Sequence, residues 1–400
     1  GGGGRACESV RQLSAAELTC VAPGGFGRMS VSVNISSELF SRSSPSAASI
    51  YMGHIAIAGS TAGSLQARGL VALAPSATRS AWPLSFLPSA LRLPVDASHG
   101  VRAMASTTGP GGDLTLFLGG SFSSLGGLQV QNVAGWRENR SFPLGLGVNG
   151  AVSDMCVLNG SLIVVGSFTS ALNPQEVVDS PFIASWDGSR WRSFGDGSLV
   201  YGSILTVLCS STEVYVGGRI EKIGDMAVGR VAKFSLKEGS WGLLGNGTGV
   251  RGGNVHAMVE MDGAVLIGGS FTAAGELPSG KLVAWKNTRF EGMGEFEGDV
   301  YSLAVVGTSL FIGGNFVSIN GISIERVARY QNGKFFPLDP VRDGTVMSIA
   351  FADGCIYAGG TFTGSLAAWC KREGPAWTAE NVTSFPELGP VYKLIPIFQG

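Results

Sequence analysis

One phrase returns along this chain and restricts it more than any other feature. Its fullest copy is SLFIGGNFVSINGISIERVARYQNGKFFPL at 309–338. An apolar strand ends in a Gly pair followed by a small residue and Phe. A loop, a second strand ending in an aromatic, a tight turn and a third strand complete the unit. Related phrases are LTLFLGGSF at 114–122, SLIVVGSF at 161–168, EVYVGGRI at 213–220, AVLIGGSF at 264–271 and CIYAGGTF at 355–362, with a worn copy, HIAIAGS, at 54–60. Counted on Gly59, Gly120, Gly166, Gly218, Gly269, Gly314 and Gly360, the steps are 61, 46, 52, 51, 45 and 46 residues. A period of that size built from short strands predicts a β-propeller. The expected fold is all-β, a seven-bladed propeller of four-stranded blades over 45–400, preceded by a short immunoglobulin-like β piece over 1–44.

Within each unit the expected inner strand, A, is strongly apolar, as in VYSLAV at 300–305. Strand B ends at the Gly pair, strand C reads VAGW, IASW, VAKF, LVAW, VARY or LAAW, and strand D is short with an aromatic after a turn. All eight Trp, among them Trp136, Trp186, Trp285 and Trp369, fall at the end of C or the start of D, where they are expected to wedge between blades. The pairs Gly119-Gly120, Gly217-Gly218, Gly268-Gly269, Gly313-Gly314 and Gly359-Gly360 are expected where the chain turns sharply while another backbone passes too close for a Cβ. The last strand, 391–397, has no successor. Blade one has the poorest strand A, so 391–397 is expected to complete it and close the ring; the competing reading is that Val391 starts an eighth unit.

The six Cys and the sequons bear on compartment. Cys7 and Cys20 flank a short loop, and Cys355 and Cys370 fall on adjacent antiparallel strands, so two disulfides are expected. Cys156 and Cys209 occupy similar places in neighbouring units but differ by one residue in register. They are therefore expected to point to opposite faces as free buried thiols. Asn34, Asn139, Asn159, Asn246 and Asn381 lie in N-x-[ST] sequons and are expected N-glycosylation sites. Together these features predict an extracellular or cell-surface location. A start at GGGGRAC, without Met or leader, reads as a processed form or a piece of a longer chain.

The phrase GGxFxxxxGxxxxxVAxWxxxxWxxLG, carried here by LFLGGSFSSLGGLQVQNVAGW, VLIGGSFTAAGELPSGKLVAW and LFIGGNFVSINGISIERVARY, resembles kelch-like propeller repeats, most closely those of the fungal cortical polarity-marker family. It covers about 54–397. Blade one lacks the second Gly and Phe of the pattern, and blade four has Arg219-Ile220 in place of small-Phe. The segment CESVRQLSAAELTCVAPGGFGRMSVSVNIS resembles the end of an IPT/TIG domain, in which a Cys-bridged hairpin leads through a Pro-Gly turn to a last strand. That resemblance implies an extracellular multidomain parent.

The residues offer little for catalysis. Galactose oxidase, which some kelch-like propellers resemble, needs two His, two Tyr and a Tyr-linked Cys. Here the three His, His54, His99 and His256, share no spacing; His256, on an inner strand, could face the channel but reads more readily as a satisfied core residue than as a ligand. Cys and His do not cluster for zinc, and no nucleophile elbow, Walker loop or Rossmann fingerprint that follows a strand and opens a helix appears; the Gly-rich stretches GLGVNG and LLGNGTG recur with the repeat and read as blade closures rather than phosphate loops. The acidic pairs Glu295/Glu297 and Glu221/Asp225 fall in loops, while the inner strands carry mostly Val, Leu, Ala and Met. A net charge of −1 gives no electrostatic footprint for nucleic acid, and no apolar run is long enough to cross a bilayer. The sequence therefore predicts a noncatalytic extracellular structural or adhesive module without cofactor, assembling with other extracellular proteins or further copies of itself. The alternative is a carbohydrate-binding or carbohydrate-active propeller that uses the loops Leu172 to Pro181 and Ala74 to Gly100 as pocket walls.

Overall fold

A computed structural model describes the strands at 9–14, 17–21, 29–32, 55–61, 70–74, 85–86 and 95–96. It also describes 388–396 and 100–380, except 110–112, 126, 138–139, 279, 339–340, 342, 353 and 372–376. The chain divides into two compact units, Gly1–Gly53 and His54–Gln399. In the first, Ser9–Ser14, Glu17–Val21 and Met29–Ser32 form a three-stranded antiparallel sheet in chain order. Cys7 and the expected 44/45 boundary lie outside the described residues.

The second unit contains seven four-stranded antiparallel sheets. Six are consecutive in sequence, with inner strands A at Gly100–Thr108, Val152–Leu158, Ile204–Cys209, Val255–Met261, Val300–Val306 and Val346–Ala352 (blades two to seven). The remaining sheet, blade one, joins the two ends of the unit. Leu388–Pro396 pairs with Ile55–Thr61, Leu394 opposite Ile57 and Val391 opposite Gly59. Leu70–Ala74 and Ser85–Phe86 follow outward. Each inner strand packs beside the inner strand of the next sheet and the last beside the first, so the seven form a closed ring and the unit is a β-propeller.

The two glycines of each pair do different jobs. A Cβ on the second glycine would overlap the carbonyl oxygen of the residue before strand A, Asn254 for Gly269, Asp299 for Gly314 and Thr345 for Gly360. Its N–H donates to the residue before strand C, as in Gly314 to Arg326 at 3.0 Å and Gly269 to Lys281 at 2.9 Å. The first glycine instead faces the next blade. A Cβ on Gly217, Gly268 or Gly313 would stand 2.6 Å from a methyl of Val255, Val300 or Val346, which open the following inner strands. Gly119 meets Val152 in the same way at 2.6 Å, and Gly359 meets Val391. Removing these Cβ atoms lets adjacent sheets close on β-branched side chains at interior packing density.

Outside this inner contact, aromatics seal the blades. Trp136, Trp186, Trp285 and Trp369 are buried at the ends of strands C, and Trp191 and Trp241 at the starts of strands D. Trp191 donates through Nε1 to the carbonyl of Leu144, in the preceding blade, at 2.7 Å. Trp241 lies edge-on to Phe194 of the preceding blade with centroids 6.1 Å apart. Gly145 and Gly195, in the left-handed region at φ 59° and 89°, follow strands D and leave room for those two indoles. Trp82 lies outside the described residues.

Cys355 and Cys370 face each other across strands B and C of blade seven and are disulfide-bonded, with Cα atoms 4.0 Å apart. The expectation that Cys156 and Cys209 are free thiols is corrected. They form a disulfide, Cα to Cα 6.0 Å. The register argument was sound within one sheet and fails between sheets. Adjacent blades meet through opposite faces, so a one-residue offset is what aims the two sulfurs at each other. Their neighbours follow suit: Met155 and Val157 pack toward blade two and Leu208 toward blade five, whereas Cys156 and Cys209 share the cluster between blades three and four.

Among the described residues, the B-to-C stretches, expected as loops, hold hairpins in five blades. Each hairpin pairs with a short strand from the connection entering its own blade, making a three-stranded sheet. In blade three these strands are Gly147–Val148, Ser170–Leu172 and Val177–Asp179, and in blade six Phe296–Glu297, Ser318–Ile319 and Ile322–Ser323. Asn320-Gly321, with φ 53° and 73°, makes the tight hairpin turn in blade six. Blade seven has only Thr361 to Ser365 between its strands B and C.

Candidate functional site

Every inner strand carries the same irregularity. The register with strand B slips by one residue just after the strand enters, between Val101 and Ala103, Val152 and Asp154, Ile204 and Thr206, Val255 and Ala257, Val300 and Ser302, and Val346 and Ser348. In the closing strand the skipped position is Tyr392. Such bulges re-aim side chains and recur beside functional sites. The seven bulged residues are Tyr392, Arg102, Ser153, Leu205, His256, Tyr301 and Met347. None packs in an interblade cluster, and two neighbouring pairs touch. Arg102 stands over the ring of Tyr392 at 5.4 Å, and His256 stacks on Tyr301 with centroids 4.7 Å apart. Arg102 is exposed and the others are half-buried. They ring one mouth of the central channel.

One residue deeper the inner strands are tied to one another. The equivalent positions hold Lys393, Ala103, Asp154, Thr206, Ala257, Ser302 and Ser348. Lys393 of blade one reaches Asp154 of blade three at 2.9 Å, over the small Ala103 of the blade between. The other carboxylate oxygen of Asp154 accepts from the Thr206 hydroxyl and the Val207 N–H, both at 3.1 Å. Ser302 accepts from the N–H of Ile349 at 2.8 Å, and Ser348 from that of Leu394 at 3.0 Å. An innermost strand is a sheet edge, and these side chains satisfy its free donors.

The mouth is most polar at blades five and six. The Tyr301 hydroxyl donates to Asp299 at 3.4 Å, and Lys281 lies 3.3 Å from the same carboxylate. Asn315 accepts from the Asp299 N–H at 2.6 Å. Burial holds the His256 imidazole below its ordinary pKa, with the Asp299 charge opposing and Arg219 reinforcing the shift. Burial, then the Asp299 charge, raises the Tyr301 phenol. Of the two places its inner strand allowed, His256 takes the mouth and not the core. His54 and His99 lie outside the described residues.

The small sheets stand at this same end, since strand A begins there and strand B ends there. They carry exposed apolar side chains. Val177 and Ile322 open third strands and are 68% and 64% exposed, and Leu146, Leu199, Tyr201, Leu277 and Val317 join them on these sheets or their connections. Of the loops proposed as walls, Leu172 to Pro181 contains one of these strands. From Ala74 to Gly100 only Ser85–Phe86 and Val95–Asp96 are described between the flanking residues. The acidic pairs are tied into the same sheets, Glu221 with Arg230 at 3.8 Å, Asp225 with Lys222 at 3.1 Å, and Glu297 accepting from Ser318 at 3.1 Å. At the opposite end, Asn159 is exposed in the A-to-B turn of blade three. Asn246 lies in a short 3-10 turn, and Asn34, Asn139 and Asn381 fall outside the described residues. Among the described residues no three His, Cys, Asp or Glu side chains converge as metal ligands, and no helix is long and apolar enough to cross a membrane.

No family profile matches the chain, and no curated protein matches it by sequence. It is similar in fold to a chain from a nidogen/laminin complex, at 9% identity and TM-score 0.39 over 86% of this chain and 98% of that one. A putative 6-phosphogluconolactonase from Bacteroides fragilis is similar at 11% identity and TM-score 0.44, over 86% and 98%. The WD40 propeller domain of Doa1 is similar at 10% and 0.43, over 79% and 88%. These likenesses are too distant to bear on function.

Proposed function

We propose that this chain is a noncatalytic extracellular module that mediates protein–protein assembly through the face bearing the small sheets and the bulge ring. The observation that carries this reading is the concentration of exposed large apolar side chains there. Of the nine on the described residues, only Phe336 and Phe351 lie elsewhere. Apolar side chains gathered on one face mark an interaction surface, whereas scattered ones do not. The disulfides Cys156–Cys209 and Cys355–Cys370 suit an oxidising compartment. The turn holding Asn159 is at the far end, so a glycan on it leaves the proposed face open, whereas Asn246 lies in the connection entering blade five, at the end that bears the small sheets. The kelch-like and IPT/TIG-like resemblances fit the same setting.

Diazirine photo-crosslinking of the secreted native assembly, read by mass spectrometry, tests the proposal. Crosslinks to partner chains should gather on 172–181, 199–203, 273–278 and 317–323 and disappear in a V177S/I322S variant. Crosslinks confined to strands D or to the A-to-B turns would overturn it. So would saturable glycan binding at this face with no protein partner.

A further inference from the structure

We propose that the bulge ring receives a carboxylate-bearing side chain, Asp or Glu, presented between apolar residues on a loop of the protein partner. This rests on the assembly reading above and assigns its central contact. The residual charge at the mouth decides the sign. The carboxylates that touch or underlie the ring are paired, Asp299 with Lys281 and Asp154 with Lys393, and those on the small sheets are tied up as well, Glu221 with Arg230, Asp225 with Lys222 and Glu297 with Ser318. Arg102 and Arg219 are not. Both are exposed and, among the described residues, neither has an acidic partner: Arg102 rests on the Tyr392 ring, and Arg219 lies close enough to His256 to disfavour its protonation.

The surroundings decide what accompanies the charge. Leu205, Met347, Tyr301 and Tyr392 are half-buried and packed in no interblade cluster, so apolar and aromatic surface shares the ring with the charge, and the Tyr392 ring lies against the Arg102 guanidinium. A carboxylate flanked by apolar side chains matches both features, because Arg pairs a carboxylate through two parallel N–H donors while the rings cover its neighbours. The Lys393–Asp154 bridge lies one residue below the ring, so the charge there is already paired. A bulge in all seven strands supplies the aim, since without it each of these residues would turn into a blade interface.

The experiment is selection of a phage-displayed twelve-residue peptide library on the full chain, followed by fluorescence polarisation of labelled enriched peptides. Enriched peptides should carry Asp or Glu beside aromatic or aliphatic residues. Their affinity should fall roughly 10- to 100-fold in R102Q/R219Q, the range for hydrogen bonds to charged groups. It should weaken with rising salt and change less than about threefold in V177S/I322S. Both arginines are exposed, so their replacement does not threaten the fold. Peptides without acidic residues, an unchanged affinity in R102Q/R219Q, or no enrichment would overturn the inference. Preferential binding of oligogalacturonate would overturn it in favour of a sugar ligand. Peptides insensitive to the arginine changes but lost in V177S/I322S would overturn it while leaving the assembly reading intact.

Discussion

Replacing Asp154 by Ala should loosen the ring at its axis, and the structure sets the size of the effect. The carboxylate serves three groups on two other blades: the Lys393 ammonium at 2.9 Å, and the Thr206 hydroxyl and Val207 N–H at 3.1 Å. A buried donor left without an acceptor costs about 1–3 kcal/mol, and Val207 N–H becomes such a donor. Breaking a fully buried ion pair from one side costs about 3–5 kcal/mol. The Asp154 side chain is 12% exposed and that of Lys393 29%, so water recovers much of that charge term and about 1 kcal/mol of it remains. The sum for D154A is about 3 kcal/mol. K393M leaves the carboxylate both hydrogen bonds and should cost about 1–2 kcal/mol, and T206V about 1 kcal/mol. The double variant D154A/K393M should fall about 1 kcal/mol short of the sum of the singles. Urea unfolding followed by Trp fluorescence, with the four-member cycle at 0.1 and 1 M NaCl, measures this. A surface pair such as Lys222–Asp225, 3.1 Å apart with Asp225 fully exposed, should lose its coupling at high salt while the axial pair keeps most of it. Strictly additive costs for D154A and K393M, or a D154A penalty no larger than that of T206V, would refute the argument.

Three further outcomes follow from the packing. G314A should destabilise by about 3 kcal/mol or more in urea unfolding, because its Cβ overlaps the Asp299 carbonyl. G321N, at φ 73° with open space around the position, should cost less than about 1 kcal/mol. Replacing both members of the Cys156–Cys209 pair by Ala frees a 53-residue separation and should lower stability by about 4 kcal/mol on the chain-entropy estimate; a loss below about 1 kcal/mol would contradict it. His256 has a folded pKa below its unfolded value, so the unfolded chain binds the extra proton first as pH falls. Wild-type stability should therefore decline from about pH 6.5 down to the folded pKa and level off below it, whereas H256Q should lack that decline when unfolding is followed across this window.

The repeat was legible because glycines and large aromatics are rare enough at fixed spacing to mark a sheet edge and a blade seam. What the sequence could not convey was anything that depends on two sheets at once. The Gly313-Gly314 pair reads as one turn signal, yet Gly313 answers to Val346 of the next blade and Gly314 to its own. Cys156 and Cys209 were misread for the same reason, since register parity flips across a blade interface. The bulges were also invisible. An extra residue near the start of each strand A breaks the period of two without leaving a compositional trace, and Arg102, Ser153, Leu205, His256, Tyr301, Met347 and Tyr392 share no chemistry by which to align them. Asp154 and Lys393 are 239 positions apart. No local pattern links them, although an Asp on an otherwise apolar inner strand was a signal that could have been followed. The hairpins in the B-to-C stretches were announced by Asn320-Gly321 but read as loop.

Because blade one borrows its innermost strand from the far end of the unit, the order of synthesis matters. Residues 55–61 leave the ribosome early and wait for 388–396, exposing an unpaired strand edge while the other six sheets assemble beside it. Until then the nascent propeller is an open arc, exposed to capture by a neighbouring chain's closing strand at high concentration. Lys393 then reports on register, since only a closing strand seated in the right alignment, the chain's own or a captured copy, brings an ammonium group to Asp154.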